Sequence, residues 1–251
     1  MSARLITIPF SHYCEKARWA LTRAEVPFLE EGHLPMFTYR ALRRAGAART
    51  VPALVTTTGV ALTDSTDIVR FADAHGTAPP LAPPDLPDAA ALEDDFDRRL
   101  GPATRRLAYF HLLPSVRGFR ELIAGAEVPA WERRLARLGR PLVTRLLARG
   151  LRIDAAGAAR SRGVVDETFA AVAERLRDGR RYLCGDRFTV ADLTFAALAA
   201  PVLAPPAYQR YLPSPAAQSA GFVALVDELR ATPAGQFALR VYAEHRAGSP
   251  A

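Results

Sequence analysis

The chain has 251 residues, 49% apolar and 24% charged, enough to bury a core without disulfide or metal staples. Cys14 and Cys184 are too few for a disulfide framework, and the five histidines show no zinc-ligand spacing, so no metal is expected. No apolar run reaches eighteen residues and the start MSARLITIPFSHYC lacks a signal-peptide pattern, which points to a cytoplasmic protein with no membrane partner; the net charge of +7, nearly all arginine, alternates with acidic and apolar residues on helical stretches, so no nucleic-acid partner is expected either.

In chain order, RLITIPF (4–10) alternates as a short strand, and CEKARWALTRAEV (14–26) has helical spacing. PFLEEGHL (27–34) reads as a second strand and TYRALRRAG (38–46) as a short helix ending at Gly46. PALVTT (52–57) and VALT (60–63), turning at Gly59, read as a hairpin. STDIVRFADAHG (65–76) reads as a helix with Ser65 as its N-cap. The first two strands flank a helix and should be parallel, joined by a right-handed crossover; the last two should be antiparallel. TAPPLAPPDLPD (77–88) packs five prolines into nine residues and reads as a stiff linker.

Beyond it the pattern is helical to the end. One stretch repeats Leu92, Phe96, Leu100 and Leu107; another, WERRLARLGRPLVTRLLARG, repeats Trp131, Leu135, Leu138, Leu142 and Leu146; further helices are expected over 162–178, 190–200, 219–231 and 233–246. The fold class is therefore α+β: a βαβαββα domain over 1–76, a linker over 77–88 and an all-helical domain over 89–251.

Chemistry concentrates where the first strand turns into the first helix. Ser11 and Cys14 stand in S-x-x-C spacing at a helix N-terminus, whose unpaired N–H groups and positive dipole end stabilise an anion. A hydroxyl there can donate to a thiolate and lower its pKa; serine is equally a favoured N-cap. Cys14 is either a thiol with depressed pKa or a small buried residue, and no C-x-x-C disulfide can form with Ser11. Pro52 at the mouth of a strand, if its bond is cis, leaves the Val51 backbone facing outward to pair with a peptide-like ligand. Asp64 and Ser65, just ahead of a helix, suit the ammonium and carboxylate of a small zwitterion.

Together these motifs resemble the glutathione transferase superfamily, in a serine-type S-x-x-C form whose class is not assigned. The resemblance covers the first domain well and the second more loosely. It implies a thioredoxin-like first domain and glutathione as co-substrate. It also implies that Ser11 contacts the glutathione sulfur, that Val51, before a cis-Pro52, pairs with the cysteinyl backbone, and that Asp64-Ser65 hold the γ-glutamyl group. YLCGDRFTVADLTFAAL resembles the family's helix start, with Thr189 as N-cap, Asp192 at N3, and Phe188 and Leu193 as a hydrophobic staple.

His12 stands where many relatives have proline; it is a ligand contact, a base near neutral pH or a solvent-facing loop residue. Arg105, Tyr109, Phe110 and His111 are candidate walls of the electrophile site, suited to an apolar, acidic co-substrate, or they pack the domain interface. The expected function is conjugation of glutathione to a small, largely apolar electrophile, a detoxification chemistry. The rivals are a glutathione-dependent isomerase, a reductase working through Cys14 and a non-catalytic scaffold. A homodimer is expected by analogy with the family.

Overall fold

The computed structural model describes residues 2–246. The first domain runs β1 (Ala3–Thr7), α1 (His12–Arg23), β2 (Phe28–Gly32), α2 (Thr38–Arg44), β3 (Ala53–Val55), β4 (Ala61–Leu62) and α3 (Ser65–His75), the expected βαβαββα order. Its sheet has the order β2-β1-β3-β4, with β1 parallel to β2 and antiparallel to β3, and β3 antiparallel to β4. Strand alternation separates the two faces of β1: Leu5 packs with Trp19, Leu21, Ile68 and Val69 from α1 and α3, while Ile6 packs with Ala41, Leu42 and Ala53 on the α2 side. One expected boundary shifts. Asp64, not Ser65, is the N-cap of α3: its extended backbone and its carboxylate, which accepts the Thr66 N–H at 2.7 Å, leave Ser65 as the first helical residue.

The proline-rich segment is a strap fixed at both sides. The Asp73 carboxylate of α3 accepts the Leu81 and Ala82 N–H groups, and the Leu81 carbonyl accepts the Val190 N–H at 2.7 Å. Pro87 then opens the second domain. A single long helix follows in three parts: α4 (Pro87–Asp95), a π-helical turn (Phe96–Leu100) and α5 (Gly101–Leu112). The wide turn has a local cause. Pro102 has no N–H to close an ordinary turn, and the Gly101 N–H bonds the Phe96 carbonyl, five residues back.

The remaining elements are α6 (Val116–Gly125), α7 (Ala130–Leu138), α8 (Arg140–Gly150), α9 (Ala155–Arg175), α10 (Val190–Leu203), α11 (Pro206–Gln209), α12 (Ala220–Ala231) and α13 (Pro233–His245). α10 is buried along its whole length and forms the axis of the domain, started by the expected Thr189–Asp192 capping box. Asp192 also accepts the Leu183 N–H at 2.7 Å, so it ties the preceding loop to the helix start. The helix expected from 162 starts earlier, at Ala155, because Asp154 caps it; the intervening AAGAAR has no apolar period to betray it. The stretch around Trp131–Leu146 breaks at Gly139 into α7 and α8, and its apolar repeat faces outward, with Leu138 75% exposed.

The two domains meet along one side of α1. His12 Nε2–H donates to the Gly101 carbonyl at 2.9 Å, and Tyr13 O–H donates to the Asp97 carbonyl at 2.7 Å. Lys16, fully buried, contacts Asp97 at 2.6 Å and Glu93 at 2.7 Å, with Thr66 Oγ1 at 3.3 Å. One turn further, Trp19 Nε1–H donates to the His245 carbonyl at 2.9 Å. Gly101 is required here: a Cβ would sit 2.2 Å from the Tyr13 hydroxyl oxygen. Replacing Lys16 by methionine strands two neighbouring carboxylates at this seam. We expect a loss of about 3–5 kcal/mol in urea denaturation, against less than half of that for the Lys16→Met/Glu93→Gln/Asp97→Asn triple variant.

Candidate active site

The turn from β1 into α1 carries Ser11 and is pinned from three directions. The Ser11 N–H donates to the Ile8 carbonyl at 2.9 Å, Tyr208 O–H from α11 donates to the Phe10 carbonyl at 2.7 Å, and Arg18 Nη2 donates to the Pro9 carbonyl at 3.4 Å. Ser11 is the N-cap of α1 in extended conformation, but its hydroxyl accepts the Cys14 N–H only at 3.5 Å. That long contact engages a lone pair weakly and leaves the O–H to donate elsewhere.

Ser11 borders a cavity of about 390 Å³ between the domains. The first domain supplies Ile8, Phe10, Tyr39 and Val51, and the helical domain supplies Arg105, Tyr109, Leu147 and Phe222. The Val51–Pro52 bond is cis, Pro52 is buried, and Val51 lines the cavity. Among the described residues neither the Val51 N–H nor its C=O has a hydrogen-bond partner. Thr50 Oγ1 donates to the Thr63 carbonyl at 3.2 Å, so the segments carrying Val51 and Asp64 are neighbours. Asp64 is exposed and Ser65 buried at the start of α3, outside the cavity lining.

His12 lies on the cavity wall yet is not solvent-facing, and it is not a base near neutral pH. Burial, reinforced by the charge of Arg105, depresses its pKa from 6.5 to about 3 against the opposing hydrogen bond to Gly101. Cys14 is fully buried, and burial pushes its thiol up to about 11 against smaller pulls from Arg18 and Ser11. It is absent from the cavity lining, so the geometry favours its reading as a packed apolar residue. Cys184 packs at the edge of the main core.

Of the four expected wall residues, Arg105, Tyr109 and His111 line the cavity and Phe110 does not. Helical phase decides this. Arg105, Ala108, Tyr109 and Leu112 share one face of α5, whereas Phe110 is turned away to a separate surface hollow with Leu113, Pro114 and Thr144. Burial raises the Tyr109 pKa to about 12, so its hydroxyl stays protonated and can donate. Tyr39, Arg49, Tyr208 and Phe222 escaped the sequence reading, because they come from segments whose place in the fold no local motif announces.

Two outcomes follow from these environments. Cys14→Ala should keep at least half of any glutathione-dependent activity, and Cys14 in the native chain should resist a thiol reagent until denaturant is added, both read by steady-state assay and labelling. His12 is neutral when folded down to about pH 3 but titrates near 6.5 unfolded, so its contribution is present above 6.5 and lost as pH falls through that window. His12→Gln should therefore lose less stability than the parent between pH 7.5 and 4.5 in urea melts.

The family model "Glutathione S-transferase, N-terminal domain" matches residues 5–80, and "Glutathione S-transferase, C-terminal domain" matches residues 155–216. Among solved structures, a glutathione S-transferase of Ceriporiopsis subvermispora in complex with glutathione is similar at TM-score 0.66 and 18% identity, with 100% of each chain covered. A glutathione S-transferase of Methylobacterium radiotolerans in complex with glutathione sulfonate is similar at TM-score 0.51 and 23% identity, over 95% of each chain. The beta-etherase LigF of a Sphingobium strain is similar at TM-score 0.58 and 17% identity, over 96% of this chain and 99% of its own. No curated protein sequence matches the chain. With the two domain matches and the shared fold, the chain belongs to the glutathione S-transferase superfamily.

Proposed function

We propose that this protein is a glutathione transferase that uses Ser11 to hold the glutathione thiolate. The observation that carries the reading is a weakly engaged hydroxyl at a helix N-terminus, opening on an apolar cavity beside the unpaired Val51 amide. The cysteinyl backbone pairs with the Val51 N–H and C=O as an added strand would. The γ-glutamyl ammonium meets the Asp64 carboxylate, and its carboxylate meets the first N–H groups of α3 with the Ser65 hydroxyl. The sulfur then lies at the N-terminus of α1, where Ser11 O–H and the helix dipole favour the charged form.

The thiol proton leaves to solvent. The thiolate forms a C–S bond to an electrophilic carbon, and the leaving group departs with its bonding pair. The chain contributes a lowered thiol pKa and the proximity of two reactants in one cavity. The burial and raised pKa of Cys14 weigh against a reductase working through that thiol.

Removing a hydrogen bond to a charged group costs about 1.5–3 kcal/mol. Ser11→Ala should therefore lower kcat/KM for conjugation of 1-chloro-2,4-dinitrobenzene by roughly ten- to a hundredfold. It should also raise the pKa of bound glutathione, read by ultraviolet difference titration of the thiolate. A parent enzyme no faster than Ser11→Ala would sink the enzymatic reading, and failure to be retained on a glutathione matrix would sink the ligand.

A further inference from the structure

The cavity beside Ser11 is lined by two arginines and by no aspartate or glutamate among the described residues. The two cations differ in place. Arg49 is exposed at the rim, next to the Val51 segment that faces the peptide. Arg105 is half-buried on the wall that the helical domain contributes.

Among the described residues neither cavity arginine has a hydrogen-bond or ion-pair partner, but Arg49 is exposed to water and Arg105 is half-buried. Arg106, next in the chain, donates to the Leu151 carbonyl and to Ser161; Arg18 is paired with Glu15 and Glu30; Arg140 donates to the Leu113 carbonyl. Among the described residues Arg105 makes no hydrogen bond and no ion pair. Its charge is nevertheless felt across the inner cavity, where it helps lower the pKa of His12 and opposes the burial-driven rise of Tyr109 and Tyr13. A guanidinium on the wall of an apolar cleft with no counter-ion is open to pairing with an anion. Its planar fork fits a carboxylate through two parallel hydrogen bonds. The walls around it are aromatic: Tyr13, Tyr109, His111 and Phe222.

We infer that the electrophile is an aromatic acid whose carboxylate pairs with Arg105 while its reacting carbon faces the thiolate at Ser11. This rests on the transferase reading and narrows it from any small apolar electrophile to an acid-bearing one. The carboxylate is taken from water only in exchange for the paired guanidinium, and the ring buries its faces against the aromatic walls. The paired carboxylate stays unchanged: the C–S bond forms and the leaving group departs at a different ring carbon.

The test uses a matched pair, 4-chloro-3-nitrobenzoate and 4-chloro-3-nitrobenzamide, which differ in charge but little in shape. With the parent enzyme the acid should be preferred. In Arg105→Gln the acid-to-amide ratio of kcat/KM should fall about ten- to a hundredfold, the effect residing in KM for the acid, and Arg105→Lys should fall between. Equilibrium dialysis of the acid and the amide, without glutathione, should show the same loss of acid preference. A ratio unmoved by Arg105→Gln in both measurements overturns the inference. So does an equal loss with both compounds accompanied by a raised pKa of bound glutathione, which makes Arg105 a partner of the thiolate, or a raised KM for glutathione with either compound, which assigns it to the peptide. Should the parent enzyme convert neither compound but still conjugate 1-chloro-2,4-dinitrobenzene, dialysis alone decides the role of Arg105, and failure with all three sinks the transferase reading itself.

Discussion

The position of Ser11 depends on how α1 is clamped between two domains. One side of this helix sends His12, Tyr13, Lys16 and Trp19 into the second domain, and all four end on a specific acceptor there. The acceptors of the first three lie on the short run Glu93–Gly101, through the π-helical turn. A regular helix would engage the Asp97 carbonyl with the Gly101 N–H. Pro102 withdraws one donor, the turn widens, the Gly101 N–H goes to Phe96, and the Asp97 carbonyl becomes available to α1. The buried charge of Lys16 makes the register strict, because a slip of one residue would leave it desolvated without its two carboxylates. The cleft between the domains is thus as fixed as the helix that borders it.

Much of this site could be read from sequence, and what could not has physical causes. Ser11, Pro52, the Asp64-Ser65 pair and the Thr189–Asp192 box announce themselves because each satisfies a local backbone need, a cap or a strand entry, within a few residues. Even there two adjacent capping residues compete, and Asp64 takes the role given to Ser65 because its carboxylate reaches the Thr66 N–H. The π-helical turn was invisible, since its consequence is a contact with α1 more than eighty residues away. The apolar repeat of 131–146 misled in a different way: period shows that a helix has a face, not which side of the molecule it meets, and this one faces outward. Phe110 failed for a simpler reason, since helical phase separates it from Arg105 and Tyr109 on the same helix.

Charge is distributed with a clear division. Buried carboxylates are spent on structure. Glu15 accepts from Arg18 and Arg246, and Glu132 accepts from His33 and the Leu34 N–H; Glu30, more exposed on β2, accepts from Arg18 and Thr7. The Glu15 and Glu30 pairs bind α1 to β2 on one side and to the end of α13 on the other, and the Glu132 pairs bind α7 to the segment after β2. The cavity receives the opposite treatment, with arginine and no carboxylate in its lining. A field of one sign in a low-dielectric cleft lowers the cost of a thiolate and of any anion that accompanies it. A substitution that introduced a carboxylate into this wall would oppose both.

Lys16 has one more consequence. It is the only lysine in the sequence, and in the folded chain its ammonium has no exposure to solvent. Amine-directed chemistry, whether acylation, reductive alkylation or cross-linking, therefore finds no lysine side chain to attack while the domains stay together. The ε-amine becomes reactive only when α1 separates from α4 and the π-helical turn. Its rate of modification is a built-in clock for that opening, read from one atom and free of the background that a lysine-rich surface would give.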